Sequence, residues 1–195
     1  AKERRSKSKL SLSVEPLPHD VPDRFMLPPK RNIIGGHLTV YLAFDVSGSM
    51  SGTPLQEAKK AAHAFVEQCD LSSMSVGLIA VSDSTKVKLQ ASQNIKNISK
   101  AIDDLKMGET GGGNSAHPFD EIHSLLNSTE GARYAIVLAD GVWSYQDRAI
   151  QQAEKCHSND IEIVGVGFGS ADKFFLQAIS SSDKKSIFTD MNSLT

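Results

Sequence analysis

Four apolar runs, each about one strand long and separated by stretches of helical periodicity, restrict this chain to a small set of folds. They are Leu38–Phe44, Ser75–Val81, Tyr134–Ala139 and Ile161–Val166. A strand with one wet face alternates apolar and polar residues, whereas an uninterrupted apolar strand must be covered on both faces. Between the runs, Leu55, Ala58, Ala61, Ala62, Phe65 and Val66 recur at the spacing of one helix face, just after Pro54. Ile95, Ile98, Ile102 and Leu105 mark a second helix, and Phe119, Ile122, Leu125 and Leu126 a third that opens near Pro118. Further helices are expected over Tyr145–His157 and Asp172–Ile179, a short strand over Thr85–Leu89 antiparallel to its predecessor, and a last strand around Ser186–Phe188. Strands alternating with helices imply an α/β fold: a doubly wound, mostly parallel central sheet with one antiparallel edge strand and helices on both faces.

The prolines divide the chain. Pro16, Pro18, Pro22, Pro28 and Pro29 fall within residues 1–36, read as an extended N-terminal arm ending at the Gly35-Gly36 turn. Residues 37–195 form the domain. A formal charge of -2 argues against a general nucleic-acid or anionic-membrane surface, and no run reaches the roughly 18 apolar residues of a membrane span. Cys69 and Cys156 lack metal or redox spacing and read as free thiols packed on helices. They favour a cytoplasmic setting; no signal peptide heads these residues, but a start at Ala1 suggests trimming or excision, so that lack says little about the full-length product.

The chemistry concentrates where the first strand ends. Asp45-Val46-Ser47-Gly48-Ser49-Met50 sets a carboxylate and two hydroxyls at alternate positions on a tight turn. Short oxygen side chains converging at the carboxyl end of a strand suit a hard divalent cation. Tyr134–Ala139 ends in Asp140-Gly141, so if the two strands are neighbours both carboxylates leave the sheet at one edge. Their mutual repulsion is removed by a shared Mg²⁺ or Mn²⁺. Between them lies Gly108-Glu109-Thr110-Gly111-Gly112-Gly113-Asn114-Ser115, where Thr110 and Ser115 offer neutral oxygens and free N–H groups could hold an acidic ligand.

These residues resemble the von Willebrand factor type A domain family and its metal-ion-dependent adhesion site (MIDAS): Asp-x-Ser-x-Ser after the first strand, a Thr in the middle loop, and the Asp of a Thr-Asp-Gly ending the fourth strand. Asp45, Ser47 and Ser49 match the first element. Asp140 matches the last, with Ala139 in place of the Thr. Val76–Ser84 is similar to the family's second strand and turn. Counting back from Phe119 puts Gly113 at the middle-loop Thr, so Thr110 or Ser115 is expected to substitute, or a water. The resemblance implies a metal set of Asp45, Ser47, Ser49, Asp140 and Thr110, and an ion completed by the Glu or Asp carboxylate of a protein partner. It also implies a non-enzymatic interaction module, nearer to the intracellular bacterial-type members than to the adhesive ones.

The competing reading is a Mg²⁺-dependent hydrolase or phosphotransferase with Asp45 as nucleophile. It needs a second acid two residues on, where Ser47 stands, and a well-placed Lys that is missing. Gly165-x-Gly167-x-Gly169 follows a late strand and reads as backbone clearance rather than a nucleotide loop. The histidines do not gather into a ligand set. Trp143 and Tyr145 follow Asp140 closely. They form either an exposed aromatic rim around the metal, as the interaction reading requires, or packing for the next helix.

Overall fold

The structure, a computed structural model, describes residues 36–181 and 186–188. The expected arm lies almost wholly outside them. In chain order the elements are β1 (Leu38–Asp45), a single 3-10 turn (Gly48–Met50), α1 (Thr53–Gln68), β2 (Met74–Val81), β3 (Thr85–Ser92), α2 (Ile95–Asp103), α3 (Phe119–Leu126), β4 (Ala132–Ala139), α4 (Gln146–Ser158), β5 (Glu162–Gly167), α5 (Lys173–Ile179) and β6 (Ser186–Phe188). The strands form one sheet in the order β3-β2-β1-β4-β5-β6. Every pairing is parallel except β2 with β3.

All eight residues of β1 are buried, as its unbroken apolar run demands. Alternate side chains feed two separate cores. Leu38, Val40, Leu42 and Phe44 pack with Phe65 of α1 and Ile98 and Ile102 of α2. Tyr41 and Ala43 face Phe119 and Ile122 of α3, Ala149 and Ala153 of α4, and Leu176 of α5. Helices α1 and α2 thus cover one face and α3 to α5 the other. The edge strand β3 is only partly buried and carries Lys86 and Lys88, which discourage further strand pairing.

Local signals set the helix ends. The Asn94 side chain accepts from the backbone N–H groups of Lys96 and Asn97 and so starts α2. Asp172 does the same for Phe175 in α5. At Gly165 an added Cβ would meet the Leu176 carbonyl oxygen at 3.0 Å, so that glycine lets α5 lie against β5. Cys69 and Cys156 are free, and burial pushes both thiols up to about 12. Among the described residues no helix is long and apolar enough to cross a membrane.

The topology decides where a ligand can bind. Connections leave β1 toward β2 on one side, while β4, β5 and β6 continue on the other. The order therefore reverses between β1 and β4, opening a crevice at their carboxyl ends.

Candidate metal centre

Strands β1 and β4 are parallel neighbours with Phe44 opposite Leu138. The same register sets Asp45 beside Ala139, with Asp140 one residue beyond. Both acids therefore stand at the reversal crevice, and both are buried: Asp45 is 1% exposed and Asp140 4%. Burial raises the Asp45 carboxyl to about 6, and the Asp140 charge adds to that rise against hydrogen bonds from Ser47 and Trp143. None of the ion pairs among the described residues involves either acid.

The turn after β1 brings its oxygens together. Ser47 N–H donates to Asp45 Oδ1 at 2.8 Å, and the Ser47 and Ser49 hydroxyls lie 3.1 Å apart. Ser47 is buried and Ser49 exposed, so the cluster reaches from the crevice floor to the surface. Val142 N–H donates to Asp140 Oδ1 at 3.0 Å. Two carboxylates with two neighbouring hydroxyls suit a hard, oxygen-seeking cation. No three His, Cys, Asp or Glu side chains gather at metal-binding distance among the described residues. An ion here would depend on hydroxyls and water to complete its shell.

The middle-loop hydroxyls have partners of their own. The Thr110 hydroxyl lies 2.6 Å from Ser82 Oγ, and none of the hydrogen bonds of Thr110 reaches Asp45, Ser47, Ser49 or Asp140. Ser115 donates instead to Asp83 Oδ1 at 2.8 Å. The amide groups expected to await an acidic ligand already hold an internal one: Gly113 N–H donates to Asp83 Oδ2 at 2.8 Å and Ser115 N–H to Oδ1 at 3.4 Å. The Gly113 amide, with the Ser115 hydroxyl, holds the Asp83 carboxyl below its usual range. Space is equally committed. An added Cβ would lie 2.6 Å from Asp83 Oδ2 at Gly111 and 2.4 Å from Oδ1 at Gly113. The glycines make room for Asp83, and a threonine cannot occupy position 113 while that carboxylate stays in place. Glu109 does not face the crevice as a free anion: it pairs with Lys88 at 2.7 Å.

The loop nonetheless builds the site by docking on it. Gly108 N–H donates to the Val46 carbonyl at 2.7 Å, and the Gly112 carbonyl accepts from Gly48 N–H at 3.1 Å. On the other side Asn114 Oδ1 accepts from the Ser144 hydroxyl at 2.7 Å. Of the two readings of Trp143, packing is the one the structure takes. The residue is 6% exposed, and its Nε1–H donates to Asp45 Oδ2 at 2.9 Å. His117 stacks on it at 5.7 Å, and Phe175 meets it edge-on at 5.5 Å. Tyr145 keeps the rim position at 66% exposure, in a left-handed backbone conformation (φ 58°).

The family model for the von Willebrand factor type A domain matches residues 39–195. The chain belongs to that family. Among curated proteins this VWA domain is similar to the collagen alpha-5(VI) chain of Homo sapiens, 26% identical over 159 residues. That match takes in 76% of this chain but only 6% of the collagen chain, so the chain spans a small fraction of that relative. Among solved structures it is similar to the manganese-loaded TRAP protein of Plasmodium vivax (TM-score 0.63, 17% identity, 81% of this chain and 70% of that one). It is also similar to proximal thread matrix protein 1 from the mussel byssus with a zinc-occupied MIDAS motif (TM-score 0.61, 18% identity, 80% of this chain and 41% of that one). At these identities the likeness establishes the fold.

Asp83, Asn114 and the Trp143 contact to Asp45 are the parts of this VWA domain that sequence reasoning did not assign. Asp83 carried a usable signal, since it follows β2 at the same sheet edge as Asp45. The pairing of Trp143 with an acid 98 positions away carried none.

Proposed function

We propose that this VWA domain is a non-enzymatic interaction module that holds Mg²⁺ or Mn²⁺ and binds an acidic side chain of a protein partner through it. The carrying observation is the pair of buried acids at the sheet reversal, without an ion pair among the described residues and beside two mutually bonded hydroxyls. Asp45, Ser47, Ser49 and Asp140 would hold the ion, directly or through water. Thr110 bonds to Ser82 and Ser84 and to none of these four, and the middle loop contributes position. Bound there, the cation neutralises the buried charge and presents an open position that attracts a carboxylate.

Domains of this family generally act in protein interactions, and the manganese-loaded and zinc-occupied structures above support a divalent ion. The surroundings favour a protein ligand. Val142, Tyr145, Phe174 and Met107 are exposed large apolar side chains. Val142 and Tyr145 follow Asp140 in one loop. Met107 precedes Gly108, which is tied to Val46, and Phe174 follows Asp172, whose N–H donates to the Asp140 carbonyl at 2.7 Å. Apolar side chains around a cation exclude water from a docked carboxylate.

Calorimetric titration of the EDTA-stripped protein with Mn²⁺ tests the metal. Binding is expected in the wild type and not in Asp45→Ala, and no heat from the wild type at millimolar ion would refute the proposal. Retention of protein partners in Mg²⁺ but not in EDTA, lost in Asp45→Ala, tests the partner. Phosphate-ester hydrolysis abolished by Asp45→Asn would establish the enzymatic reading instead.

A further inference from the structure

We propose that Trp143 sets the ion preference of this site, selecting a small octahedral ion over Ca²⁺ by fixing the Asp45 carboxylate. The inference rests on the metal reading above. Asp45 is tied at both oxygens by donors from different segments: Ser47 N–H on Oδ1 at 2.8 Å and Trp143 Nε1–H on Oδ2 at 2.9 Å. A carboxylate has about four acceptor positions, so each oxygen keeps about one, but the group can no longer rotate freely.

The indole is itself held. It is buried against His117 at 5.7 Å, Phe175 at 5.5 Å and Phe119 at 6.3 Å, and His117 Nε2 lies 2.7 Å from the Ser144 carbonyl oxygen. The same short loop fixes the second acid, because Val142 N–H occupies Asp140 Oδ1. One segment, Asp140–Trp143, thereby sets the orientation of both carboxylates.

That rigidity separates the ions. Mg²⁺ requires near-octahedral geometry at about 2.0–2.1 Å and keeps several waters, while Ca²⁺ takes about six to eight oxygens at about 2.3–2.6 Å and often uses both oxygens of one carboxylate. Mn²⁺ shares the octahedral oxygen preference of Mg²⁺. A carboxylate pinned at both ends cannot turn to chelate, which works against Ca²⁺. Without the indole N–H, Asp45 is free at Oδ2 and can turn.

Trp143 is the only tryptophan of the chain, so biosynthetic replacement of tryptophan by benzothienylalanine, an isostere with sulfur in place of N–H, changes one side chain. Dissociation constants for Mn²⁺ and Ca²⁺ are measured by calorimetry on the wild type, the isostere and Trp143→Phe, with melting curves to confirm folding. The expected result is a wild-type preference for Mn²⁺ that shrinks about tenfold or more in both altered proteins, the scale on which groups orienting metal ligands act. An isostere with the wild-type Mn²⁺ to Ca²⁺ ratio overturns the inference and leaves the metal reading standing, because the indole then acts through packing alone. A wild type that binds neither ion removes the metal reading and this inference with it.

Discussion

Gly113 marks how one residue can hold the place of another. The family pattern expects a hydroxyl there, and the Asp83 carboxylate occupies the space its Cβ would need. Gly113→Thr alone is expected to destabilise the domain, because its Cβ must displace a carboxylate that three loop hydrogen bonds hold in place. Asp83→Ala alone loses three hydrogen bonds to the loop. The double variant removes the clash, so it should be more stable than the sum of the two single changes allows, by about 1 kcal/mol or more. Denaturant unfolding of the four proteins measures this coupling, and strict additivity would mean that Asp83 and Gly113 do not compete for space.

Sheet elements show a similar dependence of one side chain on another's absence. Tyr41 of β1 stands opposite Gly77 of β2, and an added Cβ at Gly77 would lie 2.3 Å from the tyrosine ring. The ring crosses β2 so that its hydroxyl accepts from Ala91 N–H of β3 at 3.1 Å, where the β2–β3 ladder is irregular. Gly77→Ala should therefore destabilise the domain by at least 1 kcal/mol, although alanine normally favours a strand over glycine. Tyr41→Phe should cost about 1 kcal/mol by leaving that amide without its acceptor. If thermal melts find Gly77→Ala neutral or stabilising, the ring does not depend on the glycine. The strands and helices themselves were legible from sequence because burial on both faces and helical periodicity are written locally. The crossing of Tyr41 was not, since it depends on which strands become neighbours. The same division holds at the site. Asp45, Ser47 and Ser49 lie within five residues and read as a unit, and Asp140 could be added once its strand was placed beside β1. The Trp143 and Asp83 contacts join distant segments through side-chain geometry that leaves no periodic trace.

For the whole molecule, the buried acids tie stability to proton and metal. The Asp45 carboxyl is raised from 3.8 to about 6, so the folded protein binds its proton more tightly than the unfolded chain does. Its contribution is fully present below pH 4 and is lost as pH rises through about 6. In EDTA, wild-type stability measured against Asp45→Asn should fall by about 3 kcal/mol between pH 3.5 and 7.5. Saturating Mn²⁺ at pH 7.5 should restore stability to the wild type, by about 2.7 kcal/mol at a hundredfold excess over the dissociation constant, and not to the variant. Equal pH profiles for the two metal-free proteins would show that Asp45 carries no such penalty. The indole that touches this carboxylate is also the chain's only tryptophan. Light absorbed near 295 nm is therefore emitted from a ring in hydrogen-bond contact with a carboxylate proposed to hold the ion, against a background of three tyrosines that such excitation largely spares. The domain carries its own optical probe: a paramagnetic ion such as Mn²⁺ should quench that emission on binding, and a docked partner should alter it without any attached label.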